Sequence, residues 1–434
     1  MDQKQSRRDF VKNSSMIAGG ALATPLLSKA NVFSGADDAI KVAVVGCGGR
    51  GTGAAFQALS TKQNVKIVAL ADAFRDRLDE CYKELTNDES SVKAKVDVPE
   101  ERKFVGFNAY KQAIALADVV ILATPPGLRP IHFEEAISKN KHVFMEKPVA
   151  TDPAGVQKVL AVAEEAKKKK LNVVVGLQRH YQNSYRELFK RKEMIGEIVS
   201  ASCWWNNDGV WVRPRKPGQT EMEYQMRNWY YFNWLCGDHI TEQHIHNIDV
   251  INWFKNAYPV KAQGMGGREV RNGKEHGEIF DHHFVEFHYA DGTILNSQCR
   301  HIKGTMAKVD ELLIGTKGKI FAGAANITDL KGKVLYQFDR KTENNPYQTE
   351  HDELFAAIAK GEYKFWDAEN GAKSSMTSIL GRMATYSGQV INWDTAMNSG
   401  ISLQPKVYDF NAEAPVLPNT DGYYPIAVPG ITKY

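Results

Sequence analysis

The fold is decided by residues 40–59, which read IKVAVVGCGGRGTGAAFQAL. They open with a continuous apolar run at residues 40–45, a pattern typical of a strand buried in a parallel sheet. Gly46, Gly48 and Gly51 follow with the spacing GxGxxG, where the strand must turn into a helix. Glycines there permit a tight turn and a close backbone approach to a pyrophosphate. The stretch therefore predicts the first unit of a dinucleotide-binding domain.

An acidic residue stands at the expected distance from this motif. The second apolar run, VKIVALAD, ends at Asp72, 21 residues after Gly51. Its carboxylate can accept hydrogen bonds from a ribose diol and would repel a 2′-phosphate, which favours NAD. Arg75 and Arg77 follow closely and could bind that phosphate, so NADP stays an alternative.

The alternation of strands and helices continues to residue 176. DVVILATPP (118–126), KHVFMEKP (141–148) and LNVVVG (171–176) are predicted strands. The segment before the last one is a predicted helix, with Asp152 as N-cap and Pro153 in its first turn. Such alternation predicts an α/β fold with a doubly wound parallel sheet, a Rossmann domain, over residues 39–176.

The pattern changes in residues 177–434. GEIVSASCWWN, DHHFVEFHYADGTILNSQCRH and VDELLIGTKGKIFAG are predicted strands, with turns at residues 291–292 and 316–318. Few helical segments separate them, so we expect a largely antiparallel sheet. We expect the Pro-rich tail, residues 402–434, to lie over its surface.

Residues 1–30 have the composition of an export signal. SRRDFVK precedes an apolar, Gly/Ala-rich stretch and resembles a twin-arginine signal, with Arg7 and Arg8 as the pair. An amphipathic or disordered start is the alternative. The stretch is too short to span a bilayer, so we expect a periplasmic or otherwise exported protein without stable membrane insertion.

Composition excludes some partners. The formal charge is +4, but residues 1–30 hold five basic and only two acidic residues. The rest of the chain is near neutral, so we expect no nucleic-acid partner. The five cysteines are widely spaced and form no CxxC pair, and we expect most of them to be buried thiols.

A second informative stretch is GDHITEQHIHNIDVINWF, residues 237–254. Drawn as one helix at about 100° per residue, it has a single ionisable stripe. That stripe comprises Asp238, Glu242, His246 and Asp249. His244 falls among isoleucines and is predicted to be a core histidine, while His239 lies beside the stripe and its role stays open.

Metal binding is an alternative for this stretch. Glu242 and His246 are four residues apart, with Asp249 beyond them, which is ligand-compatible spacing. The HExxH motif is absent, however, and only part of the DHH triplet at 281–283 could converge on one ion. We therefore predict no metal.

Several motifs occur together in an order typical of one family. They are AVVGCGGRG, ATPP followed by His132, HVFMEKPVATD, GLQRHY, GEIVSA, HNIDVINW and IGTKGKI. In this order they resemble the glucose–fructose oxidoreductase, inositol dehydrogenase and MocA (Gfo/Idh/MocA) family. The resemblance implies an α/β fold with an N-terminal Rossmann domain and a C-terminal α/β domain that has a large, mostly antiparallel open sheet. It also implies packing of that sheet in homodimers or homotetramers, and oxidation or reduction of a sugar or cyclitol hydroxyl.

The resemblance also implies site residues. Lys147 of Glu146-Lys147-Pro148 is expected at the nicotinamide and substrate, and His246 matches the histidine of the family's Asp-x-Gly-x-His pattern. Here Glu242 replaces the aspartate and His244 the glycine, which leaves the site geometry and the substrate open. The predicted catalytic residues are Lys147, His246 and Glu242. The predicted cofactor-binding residues are Gly46, Gly48, Gly49, Arg50, Gly51, Asp72, Thr124, Pro125, Glu146 and Lys147.

Residues 203–234 are rich in Trp, Tyr, Asn and Arg. Aromatic faces stack on sugars, and Asn and Arg bind hydroxyls, so the segment is a candidate substrate wall. A buried aromatic cluster or a subunit interface is the alternative. The predicted substrate-binding residues are Arg179, Tyr181, Trp205 and Asp249.

Three functions are consistent with these patterns. The first is an NAD(P)-dependent oxidoreductase acting on a sugar, glycoside or cyclitol, with a tightly held cofactor. The second is an NAD-dependent glycoside hydrolase or lyase, which would need a second base such as His239 or Tyr181. The third is a sugar-binding protein with a vestigial cofactor site, which the intact motif argues against.

Overall fold

The apolar run at residues 40–45 forms the first strand of a six-stranded sheet. The computed structural model describes residues 38–434, so the expected export signal lies outside the described residues. The strands are β1 (Ile40–Val45), β2 (Val65–Asp72), β3 (Lys103–Val105), β4 (Val119–Leu122), β5 (His142–Met145) and β6 (Val173–Val175). Their order is β3-β2-β1-β4-β5-β6 and every pairing is parallel, as in a doubly wound dinucleotide-binding domain.

Helices connect these strands. They are α1 (Gly49–Leu59), α2 (Arg75–Thr86), α3 (Ala109–Ala115), α4 (Arg129–Ser138) and α5 (Pro153–Lys168). The predicted cap of α5 is confirmed, since the Asp152 carboxylate accepts a hydrogen bond from the Gly155 amide at 2.7 Å. The sheet order reverses at β1, so the carboxyl ends of β1 and β4 flank a crevice.

A nine-stranded sheet forms the second half of the chain. Its strands are β7 (Ile198–Asn207), β8 (Lys261–Gly267), β9 (His282–His288), β10 (Ile294–His301), β11 (Lys308–Gly315), β12 (Gly318–Phe321), β13 (Asn326–Asp329), β14 (Val334–Gln337) and β15 (Ile391–Asn392). Only β7 and β10 pair in parallel, so the prediction of a mostly antiparallel sheet is confirmed. The predicted boundary at residue 176 falls between the two sheets.

Helices cover one face of this second sheet. The remaining helices are α6 (Asn183–Lys190), α7 (Glu221–Arg227), α8 (Asn233–Cys236), α9 (His239–Glu242), α10 (Ile245–Lys255), α11 (Pro346–Ala359), α12 (Ala368–Ser387) and α13 (Trp393–Met397). The long α12 is buried along most of its length and packs against β8, β9 and α5. Helix α11 returns to pack on α1, which joins the two halves.

The core is continuous through both halves. Apolar residues of β1, β4 and β5 are almost wholly buried, as the unbroken apolar runs predict. All five cysteines are buried free thiols, as expected. Within residues 38–434, no helix combines the length and the apolar character needed to cross a membrane.

Candidate active site

A cavity of about 530 Å³ lies at the carboxyl ends of the parallel strands. Six predicted cofactor-binding residues besides Asp72 line it: Gly46, Gly48, Gly49, Arg50, Thr124 and Pro125. Gly51 lies one residue further into α1 and is buried. The volume is within the range of small-molecule sites, and the place is where this sheet order puts a dinucleotide.

Two glycines of the motif are required by close packing. Gly46 has φ +97°, and a Cβ atom there would lie 2.5 Å from the Thr124 amide nitrogen. A Cβ atom at Gly51 would lie 1.8 Å from the carbonyl oxygen of Gly46. By contrast, Gly48 and Gly49 face open space. Side chains at those two positions would fill the cradle that a pyrophosphate needs, so the loop fits a dinucleotide.

Asp72 lies at the end of β2 and lines the same cavity. Its carboxylate accepts hydrogen bonds from the amides of Cys47 at 2.7 Å and Phe74 at 2.9 Å. Burial raises the pKa of Asp72, and the two amide hydrogen bonds oppose that shift. Of the two arginines of the NADP alternative, Arg75 pairs with Asp79 and Glu100 and does not line the cavity, whereas Arg77 lines it and pairs with Glu80 at 2.9 Å. The position of Asp72 is therefore compatible with ribose binding.

Arg50 and Glu146 form an ion pair beside this loop. The Nε atom of Arg50 donates to Glu146 at 2.5 Å, and its Nη2 atom lies 3.5 Å from buried Glu350. Burial and the nearby charge of Glu146 raise the pKa of Glu350 well above its usual range. Glu146 does not line the cavity. Its contact is with Arg50, which corrects the prediction of direct cofactor binding.

Lys147 follows β5 and contacts the second half of the chain. Its ammonium donates to the backbone carbonyl of Glu242 at 2.6 Å and lies 3.3 Å from the Glu242 carboxylate. Both side chains are mostly buried, and the Lys147–Pro148 peptide bond is cis. Glu242 therefore orients Lys147, whereas we predicted that it would orient His246.

The predicted single helix over residues 237–254 is wrong. Asp238 has φ +67° and ψ 163°, and helix α9 that follows it ends at Glu242. A turn at residues 243–244 follows, and helix α10 begins at Ile245. The helical-wheel stripe therefore does not exist, and its members point to different environments.

His246 lies on the first turn of α10 and is buried. Its ring stacks on Trp205 with centroids 5.9 Å apart, and its Nδ1 atom has no hydrogen-bond partner among the described residues. Burial, together with the charges of Lys147 and Arg179, holds the pKa of His246 well below its usual range. The imidazole is therefore neutral at pH 7 and can accept a proton.

His244 is the core histidine that we expected. It is fully buried, and its Nε2 atom lies 2.7 Å from the hydroxyl of Ser297. Burial lowers its pKa to about 3. It packs between α9 and the inner face of the sheet, away from the cavity lining.

Three of the four predicted substrate residues have internal partners instead. Asp249 accepts from His180, Asn370 and Ser374 in the interior. The Tyr181 hydroxyl donates to Asp367 at 2.8 Å, and Arg179 forms a buried ion pair with Glu311. These contacts argue against a substrate role, which leaves Trp205 beside His246.

Another polar cluster has ligand-compatible geometry. Asp238, His239 and His283 are buried and present their ligand atoms within 4.8 Å of one another. The Asp238 carboxylate already accepts from the amides of His239 and Phe280, the His239 ring and the Tyr386 hydroxyl. A cation would have to displace these donors, so the cluster is better explained as a hydrogen-bonded anchor.

Sequence reasoning did not identify which residues form the second wall of the cavity. Residues 203–234 were predicted as a substrate wall, and residues of this segment line the dinucleotide cavity. They are Trp211, Arg213, Pro214, Lys216, Gln219, Met226, Arg227 and Trp229. Phe74, Phe107 and Tyr110 of the first half also line it. Nothing in their spacing indicates this, because the contact depends on tertiary packing.

Comparisons with known proteins agree with this architecture. Residues 40–176 match the Gfo/Idh/MocA family, described as an oxidoreductase family with an NAD-binding Rossmann fold. The inositol 2-dehydrogenase of Acidiphilium cryptum is 23% identical over 319 residues, which cover 70% of this chain and 84% of that protein.

Two solved structures share the fold. One is scyllo-inositol dehydrogenase from Lactobacillus casei with bound NAD(H) and scyllo-inositol. It superposes with a TM-score of 0.61 at 17% sequence identity, and the match covers 82% of this chain and 100% of that chain. The other is aldose–aldose oxidoreductase from Caulobacter crescentus complexed with glycerol: TM-score 0.62, 17% identity and the same coverage. The chain is thus an oxidoreductase whose residues 40–176 form an NAD-binding Rossmann domain of the Gfo/Idh/MocA family.

Proposed function

We propose that this protein oxidises a secondary hydroxyl of a sugar, glycoside or cyclitol, or reduces the corresponding ketone, with NAD as the hydride carrier. The main supporting observation is that Lys147 follows the carboxyl end of β5, at the sheet edge where the glycine loop lies. The charges of Lys147 and of Arg50 in that loop both act on buried His246, although neither Lys147 nor His246 lines the cavity. The inositol dehydrogenase of Acidiphilium cryptum, a relative over most of its length, supports a polyhydroxylated substrate.

The chain's own residues supply the proton chemistry. The dinucleotide, when bound, accepts the hydride that leaves the substrate carbon with the electron pair of the C–H bond. His246 takes the hydroxyl proton, so that an alcohol becomes a ketone and the charges balance. The Lys147 ammonium, held by Glu242, donates a hydrogen bond to the same oxygen and stabilises its alkoxide character.

The hydrolase or lyase alternative loses its support. It requires a second base, for which His239 and Tyr181 were the candidates. His239 is wholly buried with its ring bonded to Asp238, and Tyr181 bonds Asp367. Neither is available to a substrate at Lys147.

Steady-state turnover tests the proposal. Purified protein is incubated with NAD and a panel of inositols, aldoses and aryl glycosides, and NADH is followed at 340 nm. We expect NADH formation with at least one polyol and its loss, by about 10²–10⁴-fold, in Lys147→Ala. Release of the aryl group without net NADH would instead favour cleavage and contradict the proposal.

We also propose export through the twin-arginine route. The support is the Arg7–Arg8 pair ahead of an apolar stretch. Changing both residues to Lys should trap the precursor in the cytoplasm. Undiminished exported protein from that variant would refute the signal.

We further propose that the protein assembles into homodimers or homotetramers through the outer face of the nine-stranded sheet. Alternate residues of that face, such as Trp204, Phe284 and Leu312, stay partly exposed although they are apolar. Light scattering after size exclusion tests this, with Leu312→Glu as the disrupting variant. A monomeric wild-type protein would contradict it.

A further inference from the structure

The dinucleotide cavity is closed by two segments of the second half of the chain. We call residues 211–229 the cover, because they form the wall opposite the glycine loop. We call residues 403–424 the strap, because they pack on the outside of the cover and on the first half. Both segments lie beyond the residues that match the family description, which end at 176.

The cover is fastened to the Rossmann half through Arg227. Its Nη1 atom donates to Asp76 at 2.8 Å, and its guanidinium lies 3.8 Å from the centre of the Phe74 ring. Asp76 and Phe74 directly follow the β2 end that carries Asp72. The charge of Arg227, through its hydrogen bond, lowers the pKa of Asp76. One arginine thus bridges the two walls beside the expected ribose site.

The strap holds the cover from outside. The Phe410 ring packs on Phe74 and Phe107, with centroids 5.2 Å and 4.7 Å apart. The Thr220 hydroxyl of the cover donates to the Phe410 carbonyl at 2.5 Å. Gln225 of the cover donates to the Val416 carbonyl at 2.7 Å. Opening the cavity on this side therefore breaks contacts in both segments.

The cover also brings positive charge to the cavity. Arg213 and Lys216 line it, and neither forms an ion pair with another described residue. The Arg213 guanidinium lies over the Trp211 ring at 5.1 Å. Unpaired cations facing a glycine loop complement the charge of a pyrophosphate.

We propose that the cover and the strap form a retention device for the dinucleotide, in which Arg213 and Lys216 bind its phosphates and Arg227 and Phe410 lock the cavity. The inference rests on the proposed function, since it assumes the same cofactor. Its consequence is that the bound dinucleotide exchanges slowly with dinucleotide in solution.

The test measures cofactor exchange, which is independent of catalysis. Protein loaded with NADH is mixed with excess NAD, and the loss of energy transfer from tryptophan to NADH gives the dissociation rate. Arg227→Ala, Phe410→Ala and the double change Arg213→Ala with Lys216→Ala should each raise that rate by about tenfold or more. Circular dichroism checks that each variant is folded.

Arg102→Ala is the matched control. Arg102 also forms an ion pair with an aspartate, Asp97, at 3.0 Å, but it does not line the cavity. Its exchange rate should equal that of the wild type. Exchange in folded Arg227→Ala at the rate of Arg102→Ala would overturn the retention device while leaving the proposed function intact. A wild-type protein that binds neither NADH nor NADPH would refute both.

Discussion

At the residue scale, His246 and His244 differ in what surrounds them. Both are buried, and the Nδ1 atom of each has no described hydrogen-bond partner. The Nε2 atom of His244 bonds Ser297 in the core, however, whereas the His246 ring stacks on Trp205. His246→Ala should therefore lower kcat by about 10²–10⁴-fold with little change in dinucleotide affinity. His244→Ala should mainly lower the free energy of unfolding.

Steady-state kinetics and chemical denaturation of both variants separate these outcomes. If His244→Ala abolished turnover while His246→Ala resembled the wild type, the wrong histidine would have been chosen. Glu242→Gln should lose less than Lys147→Ala, because the backbone carbonyl that accepts from Lys147 remains.

The predicted preference for NAD over NADP depends on Asp72. Its carboxylate faces the cavity and would repel a 2′-phosphate. Asp72→Ala should weaken NAD more than NADP, so that the ratio of the two dissociation constants shifts by about tenfold. Titration calorimetry of both cofactors measures it, with Asp72→Asn as a variant of the same shape. An equal loss for the two cofactors would remove Asp72 from ribose binding.

Sequence patterns placed the glycine loop and Asp72 at the cavity, because each stands at the end of a predicted strand. Lys147 and His246 were inferred from the family resemblance, and their roles stay predictions. Sequence patterns failed for Asp249 and Tyr181, whose partners Ser374 and Asp367 lie far along the chain. A side chain's direction at the end of a strand depends on what packs against it, and spacing does not encode that.

At the element scale, the turn at Asp238 that begins α9 arranges the site. The helical projection of residues 237–254 treated them as one helix, but Asp238 adopts a positive φ that non-glycine residues rarely occupy. Its carboxylate compensates by accepting from the amides of His239 and Phe280 and from the Tyr386 hydroxyl. The turn then presents the Glu242 carbonyl to Lys147. Periodicity alone could not show this, because the turn at Asp238 depends on Phe280, which precedes β9, and on Tyr386 of α12.

Asp238→Asn tests that anchor. The substitution replaces one carboxylate oxygen, which accepts hydrogen bonds, by an NH2 group, which can only donate them. Because the groups around it are also donors, the free energy of unfolding should fall by about 2–4 kcal/mol. Tyr386→Phe removes a single donor and should cost about 1 kcal/mol. Urea denaturation of both variants measures the difference. An Asp238→Asn protein as stable as the wild type would show that the anchor contributes little.

At the scale of the whole molecule, several buried histidines make stability depend on pH. Burial lowers the pKa of His132 to about 3 and of His239 to about 4, and it holds that of His351 well below its usual range. The unfolded chain binds protons at these sites near pH 6.5, but the folded chain does not. Their contribution is therefore fully present above about pH 6.5 and is lost as the pH falls.

His351 isolates this effect. It is fully buried between Phe144 and Phe355, and neither ring nitrogen has a described partner. The raised pKa of nearby Glu350 makes the unfolding free energy change with pH in the opposite direction. The pH slope of the variant is therefore compared with that of the wild type. His351→Phe should reduce the pH slope of the unfolding free energy below pH 6.5 by about 1.4 kcal/mol per pH unit. Denaturation at pH 5 and pH 7 measures it, and identical slopes would contradict the assignment.

The overall architecture was predictable because both halves have strong local patterns. Unbroken apolar runs indicated the parallel sheet, and alternating residues with Asp291-Gly292 at a turn indicated the β9–β10 hairpin. The cover and the strap were not predictable, since the cover contacts Asp76 through Arg227, 151 residues further along the chain.

The most direct measurement is the dinucleotide content of the purified protein. The account predicts that protein denatured after extensive dialysis releases about one NAD(H) per chain, identified by absorbance and by an enzymatic cycling assay. Protein that releases no dinucleotide, and whose melting temperature does not rise with added NAD or NADP, would contradict the account.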